Sequence, residues 1–582
     1  MKAILASMFL IALMVLFVAP STSLAAPADT VIISALTPAN PQGGNLNNVI
    51  NADTTAAGIV KPNTVFLLKP TGALDTVYWM TAPITSKGSI TIVGYLNPVT
   101  GHPPVIAPSI AGDNSSIGNF FSPQGSDTLT LKGLYFMGTR TDSISFTGRF
   151  VAPSGDNNVF VFDHCILENI SGGGTPNLFD TWNHDHNSFY VTNCEIRNNQ
   201  DDNPQNPGFA WIDPGTYPCD TARFWNNTFF LTGGYILGSS GYGAAFLDFQ
   251  HNTIFISGQG GAFDLYQMHH AVIKNNIFYS VSSAAYPDGW YNNSPGSWGS
   301  AVIPLDSLRS LAAAPYNMKE SDRNLTITNN VYFWPSQITS KWAALNTAGI
   351  ASITPLRAPD FINSQPGMLT NKTAWPNITV ANNDSVDPGF NSTLVGTAAG
   401  KMAVFVDTLW HNNQSGKGLR PYMYPLYDPP TWDGVSSSWK TVKGNTYYGY
   451  PVPENLRYSN TTLQSKGSDG KALGDLNWFP EQITGVSQKP ASELPTQFTL
   501  SQNYPNPFNP TTMIEYSISQ NSFVTLKVYN LLGQEVASLV NQQQTASRYT
   551  VSFDGSRLAS GIYFYKLRAG GSTLTNKMLL LK

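Results

Sequence analysis

The chain has 582 residues, of which 12% are charged and 12% aromatic, with a formal net charge of −4. Charge is scarce for a soluble protein, no basic face of the kind a nucleic-acid binder needs is implied, and only local clusters are left to capture acidic polymers. The length exceeds one ordinary domain, and abundant Gly, Pro and Asn beside many aromatics describe turn-rich β structure rather than helix.

The first element in chain order is an export signal. Lys2 supplies the positive end, Ile4 to Val18 is a nearly unbroken apolar run, and Ser23-Leu24-Ala25 puts small residues where a signal peptidase reads. The run is short for a membrane span. Cleavage is expected after Ala25, with Ala26 as the alternative, which makes 1–25 a signal peptide. No later segment is long and apolar enough to cross a bilayer, so the mature chain is expected to be exported and either soluble or surface-tethered.

From Phe160 onward one eight-residue phrase recurs six times, starting at Phe160, Phe189, Ala222, Leu247, Ala271 and Leu325. Each copy is apolar, any, apolar, any, polar, polar or Cys, any, apolar. The alternation is strand periodicity, and the polar pair interrupts it before a second short strand. The first polar position recurs with gaps 193−164=29, 226−193=33, 251−226=25, 275−251=24 and 329−275=54. The last gap is two turns, or one with a large excursion. Weaker echoes at Ile90-Thr91-Ile92-Val93-Gly94 and Leu129-Thr130-Leu131-Lys132-Gly133 place the start of the stack before residue 90.

A fixed phrase at this period means stacked supersecondary units. The fold class expected is all-β: a right-handed parallel β-helix over 26–400, followed by a small immunoglobulin-like β-sandwich. The shorter gaps leave no room for a propeller blade of about 40–50 residues. Phe162, Val191, Phe224, Phe249, Ile273 and Ile327 should stack inside. His164, Asn193, Asn226, His251, Asn275 and Asn329 should form a polar ladder at the bend, because Asn tolerates left-handed backbone and its amide both donates and accepts. The next column is Cys165, Cys194, Asn227, Asn252, Asn276 and Asn330. Three cysteines, with Cys219, are too few for a disulfide scaffold. Cys165 and Cys194 would point in parallel, as small buried side chains.

Between the phrases, Asp180, Asp213, Asp264 and Asp306 each follow two mostly apolar residues. Asp180 and Asp213 both lie 13 residues before the ladder, since 193−180=13 and 226−213=13, and Gly238 fills that slot on the next rung. Adjacent carboxylates can hold a hard cation such as Ca²⁺ through oxygen, or split their pKa values and act as acid and base. Asp180, Asp213 and Asp264 are the candidate catalytic carboxylates, with Arg223 and Lys274 on nearby rungs, and Asp180 and Asp213 the candidate metal ligands. Trp182 and Trp211 could stack on a sugar ring, and His184 and His186 could bind substrate beside them. The competing reading is that each Asp is a turn former bonding its own backbone.

The coil resembles the pectate-lyase-like superfamily over about 30–400, on the phrase alone. That resemblance implies lyases and hydrolases of polysaccharides, and also tail spikes and adhesins. In the lyases, aspartates on adjacent rungs hold Ca²⁺ and an Arg takes the proton. Asp180 and Asp213 match the first role loosely, no Arg matches the second, and the paired-aspartate motifs of the galacturonase branch are absent.

The phrase pauses from Ala284 to Arg323 in a surface excursion marked by Pro and Gly. It fades after Asn330. Residues 401–493, rich in Trp and Tyr, are expected to cap the open end of the coil, where strand edges would otherwise be exposed.

Residues 494–582 change composition again, to about seven short strands separated by turns. Asn503-Tyr504-Pro505-Asn506-Pro507-Phe508-Asn509-Pro510, the turn at Gly533, Ser560-Gly561-Ile562-Tyr563 and a Lys near the end closely resemble the type A sorting domain of the type IX secretion system. The resemblance implies a Gram-negative bacterium of the Bacteroidota–Chlorobiota group, the type IX machinery as a partner, and release or attachment at the outer-membrane surface. Two functions follow: a polysaccharide lyase or glycoside hydrolase, or a non-enzymatic adhesin that holds a surface glycan.

Overall fold

The computed structural model describes residues between 30 and 581, apart from intervals of which the longest are 34–44, 109–116, 200–211, 284–300, 306–318, 412–430, 441–454 and 490–497. The signal segment at 1–25 lies outside the described residues.

Three parallel sheets of eleven, ten and six strands make the coil. One turn runs from Phe179–Asp180 in the six-stranded sheet to Ser188–Thr192 in the eleven-stranded sheet. It then bends at Asn193 and Cys194 into Glu195–Arg197 of the ten-stranded sheet and returns at Ile212–Asp213. This is a parallel β-helix. It begins at Thr30–Ile33, which pairs with Val65–Leu68, well before the first echo of the phrase.

Alternation sends every second side chain inward. Phe162 pairs with Val191, Val191 with Phe224, Phe224 with Phe249, Phe249 with Ile273, and Ile273 with Ile327, all of them buried. The 54-residue gap is a single turn, because His270–Lys274 pairs directly with Asn324–Thr328. One more rung follows that the phrase count missed: Ile378–Ala381 and Asp384–Ser385, with Asn382 and Asn383 at the bend. It is hidden among the surrounding Pro, Trp and Asn.

The two polar columns divide their work differently from expectation. The first column is chosen for backbone: His164, Asn193, Asn226, His251, Asn275, Asn329 and Asn382 all have φ between +52° and +61°, the region where Asn is enriched. Its side chains form the expected ladder only in stretches, Asn226 Nδ2 donating to Asn193 Oδ1 at 2.7 Å and Asn275 Nδ2 meeting His251 Nε2 at 3.1 Å. The continuous buried ladder is the second column. Asn227, Asn252, Asn276 and Asn330 are fully buried. The backbone N–H and amide of each donate to the Oδ1 of the next, at 2.8–3.2 Å, through to Asn383. Each amide also donates to a carbonyl of the preceding rung, as Asn252 does to Phe224 O at 2.9 Å. Cys165 and Cys194 occupy the same column as free buried thiols. The Cys194 N–H still donates to Asn227 Oδ1, at 2.8 Å.

The chain is mostly β, as expected, and two of its helices pack on the coil. Ser336–Thr347 buries Ile338, Trp342 and Leu345, a helical spacing within a segment read from its Pro and Asn content. Ser392–His411 starts where Asn391 Oδ1 accepts from the N–H groups of Thr393 and Leu394, and it runs across position 400. Both helices pack on the outer face of the ten-stranded sheet, in one cluster with Phe230, Phe255 and Tyr279. Those three rings stack rung on rung at 5.3 and 5.2 Å.

Part of the segment expected to cap the open end lies along the side of the coil. Residues 466–478 form a strap across four rungs, and Lys466 O accepts from Asn329 Nδ2 at 3.5 Å. The Ser468 N–H donates to Asn275 Oδ1 at 2.9 Å, and Asp469 meets His251 Nε2 at 3.0 Å. Gly474 donates to Asn275 O at 2.7 Å, and Asn477 Nδ2 donates to Asn226 O at 3.1 Å. Gly474 has φ +76°, and a Cβ there would meet Thr253 Oγ1 at 2.4 Å, so no other residue fits. At the last rung Val380, which continues the inward column, is 36% exposed, so the end itself is only partly covered.

From Val486 the chain forms two antiparallel four-stranded sheets around Ile514, Tyr516, Leu526, Val528, Tyr565 and Leu567. Asn503 is buried: its N–H donates to Tyr565 Oη at 2.8 Å and its amide to Thr512 Oγ1 at 2.9 Å. Gly533 turns at φ +78°, beside Asn530, whose Oδ1 accepts from Leu532 N at 3.0 Å.

Candidate functional site

The six-stranded sheet is made of strands only two or three residues long, because the loops on either side consume most of each turn. Its backbone register puts Asp180 beside Asp213. Leu237 follows Ile212 on the next rung, and Gly238 pairs with Asp264. Asp264 lies 11 rather than 13 residues from the ladder (275−264=11), and the difference is absorbed in the turn that follows it. Phe179 and Phe263, the residues before two of these aspartates, are buried in the core. Trp182, Trp211 and Asp306 lie outside the described residues.

Seven residues separate Asp180 from the eleven-stranded sheet, and that turn carries most of the titratable groups in the vicinity. His184 Nδ1 lies 3.5 Å from Asp156 Oδ1 of the preceding rung, and the Asp185 N–H donates to the same oxygen at 2.9 Å. His186 Nδ1 meets Asp220 Oδ1 of the following rung at 2.9 Å. His186 and Asn157 both have positive φ, which tightens the turn. Asp185 Oδ1 is buried without a hydrogen-bond partner among the described residues.

Burial and the neighbouring Asp156 raise the Asp185 carboxyl above its ordinary range. The hydrogen bond to Asp220 raises the His186 imidazole. A histidine shifted upward stabilises the fold below its ordinary titration range, and that contribution disappears as pH rises through the folded pKa. Asp185 disfavours the fold where it is charged, at higher pH. Both shifts favour the protonated form. Asp156 and Asp220 were not singled out from the sequence. The signal existed for one of them: 185−156=29 repeats a ladder gap, whereas 220−186=34 misses the 33-residue gap by one.

Arg223 and Lys274 are not brought to the aspartate column. They lie on the eleven-stranded sheet, within Cys219–Trp225 and His270–Lys274, on a different wall of the coil. Arg223 Nε donates to Asp248 Oδ2 at 3.2 Å, a buried carboxylate that occupies its second oxygen with Gln250. Among the described residues no group of three or more His, Cys, Asp or Glu is arranged to hold a metal ion.

Residues 502–581 match the family model described as a secretion system C-terminal sorting domain. No curated protein matches the chain. The match agrees with the type IX sorting domain expected from the Asn503 opening and the Gly533 turn. It marks the protein as secreted to the outer-membrane surface, with the secretion machinery as a partner. No helix among the described residues is long and apolar enough to cross a membrane.

Proposed function

We propose that this surface protein engages a polysaccharide along the wall that carries the six-stranded sheet. The observation that supports the reading is the pairing of Asp180 with Asp213 on adjacent rungs. Parallel strands lie about 4.8 Å apart, a rung spacing that a single ligand can span. An all-oxygen donor pair fits Ca²⁺ better than a softer metal. Asp180 and Asp213 would hold that ion, and the ion would supply positive charge against an anionic group of the sugar. Without an ion, the two carboxylates would split their titrations and serve as acid and base. Asp264, two rungs on, extends the row. His184, His186, Trp182 and Trp211 would meet the sugar.

The test is a glycan-degradation screen with and without Ca²⁺. Product formed by the native chain and lost in Asp213→Asn is the expected result. If Asp180→Asn and Asp213→Asn both leave binding, metal uptake and turnover unchanged, the wall is not the site. A second reading is that the chain is an adhesin that retains a glycan without turning it over. The engagement of His184 and His186 in ion pairs between rungs favours it, since both rings then serve the scaffold. Retention without product distinguishes that case.

A further inference from the structure

The eleven-stranded sheet turns a second row of side chains to solvent, and one of them is conspicuous. Trp225 is 40% exposed, although it closes a strand whose inward residues are fully packed. Its ring is not loose. The Arg223 guanidinium lies 4.7 Å from the indole centroid and 5.7 Å from that of Tyr190 on the neighbouring rung. Arg223 is itself fixed by its bond to Asp248, which is 4% exposed and also accepts from Gln250. The backbone on the far side is pinned too, because the strap holds the carbonyl and side chain of Asn226. The indole is therefore a rigid apolar plate with one face backed by a cation and an amide and a carboxylate within a rung of it.

From this geometry we infer that Trp225, Arg223 and Gln250 form a binding platform for a neutral hexopyranose polymer, separate from the aspartate wall. An exposed, pre-oriented indole presents apolar area at low entropic cost, and the apolar face of a sugar ring is its natural complement. The charges around it choose the class of sugar. Arg223 is neutralised by Asp248. In the same outward column Asp163 is balanced by His164 and Lys132. Lys132, beside Asp163, and Lys274, two rungs beyond Trp225 in that column, make no direct ion pair among the described residues. A row whose charges are mostly cancelled offers donors and acceptors for hydroxyl groups and little pull on a polyanion. Successive rungs repeat along the sheet, so a linear chain of sugars could lie along it.

The inference extends the polysaccharide reading to a second wall, and its test separates the two. The full chain is run in native gels containing dextran, laminarin or galactomannan, with polygalacturonate as the acidic control. Retardation by at least one neutral polymer is expected, insensitive to added salt. Trp225→Ala should weaken it at least about tenfold, as truncation of a central aromatic does. Trp225→Phe should keep part of it, which shows that a folded coil carries the effect. Asp180→Asn and Asp213→Asn should keep it in full even where they abolish turnover. Failure of every neutral polymer to retard the native chain overturns the platform. So does unchanged retardation in Trp225→Ala, retardation by polygalacturonate alone, or its loss in the two aspartate variants.

Discussion

Two columns of polar residues run side by side along the same bend, and they are built from nearly the same amino acid. In the inner column the amide is the point. Asn227, Asn252, Asn276 and Asn330 are sealed from water, and each saturates backbone groups of the neighbouring rung. In the outer column the backbone is the point. Its residues share a left-handed turn, histidine substitutes at two rungs, and Gly133 takes the same conformation at φ +62° upstream. Their side chains are thus available to other segments, and the strap uses Asn226, His251, Asn275 and Asn329. One residue type therefore stabilises the coil in one column and recruits a distant segment in the next.

The largest test of that division is Asn252→Ala. It removes the acceptor of the Asn227 N–H and amide and leaves Phe224 O without its donor. Buried groups left unpaired should lower stability by about 2–4 kcal/mol, seen as a fall in the denaturant midpoint. A loss as small as at the outer column would erase the distinction.

A second test concerns how the strap is held. Burial raises the Asp475 carboxyl to about 7, despite its bonds from Thr228 Oγ1 at 2.6 Å and the Asn477 N–H at 2.8 Å. The folded pKa exceeds the unfolded one, so the folded chain binds more protons between about 4 and about 7. Stability should fall as pH rises through that window and level off above it, by at most a few kcal/mol. Asp475→Asn mimics the protonated form and should flatten the curve, stabilising the strap at pH about 8 with little change at pH about 5. Asp469 works in the opposite direction. Burial would raise it, yet the bond and charge of His251 bring it down to about 2, so its contribution is lost only in strong acid. Limited proteolysis of residues 466–478 across pH reports both.

The smallest effect belongs to the outer column itself. Asn329→Gly should cost a few tenths of a kcal/mol and Asn329→Ala about 1–2 kcal/mol, because only the second strains a turn at φ +57°. Equal costs would show that the side chain, with its single long bond to Lys466 O, matters more than the backbone.

These columns also show what a sequence makes legible. The inner stack, both bend columns and the register of Asp180 on Asp213 follow from spacing, because a repeated phrase places each copy over the last. The His184, Asp185 and His186 turn was legible in part. Its partners sit outside the phrase: Asp156 lies a ladder gap of 29 before Asp185, but Asp220 lies 34 after His186, one off the 33-residue gap, so spacing alone would have found only the first. The strap was not legible at all. It meets residues 137 to 251 positions away through polar contacts, with no motif of its own to mark the pairing. The helix at Ser336–Thr347 was obscured by the Pro and Asn around it, although Ile338, Trp342 and Leu345 carry its period.

Gly474 and Asp475 fasten residue 475 to Thr228, a separation of 247 positions. Closing so large a loop is ordinarily the office of a covalent bridge in a chain sent outside the cell. Here all three thiols stay free and buried, and a run of hydrogen bonds takes the bridge's place. Such a clasp needs no oxidant to form and is indifferent to reductants, and cutting the chain after Ile483 would leave it fastened.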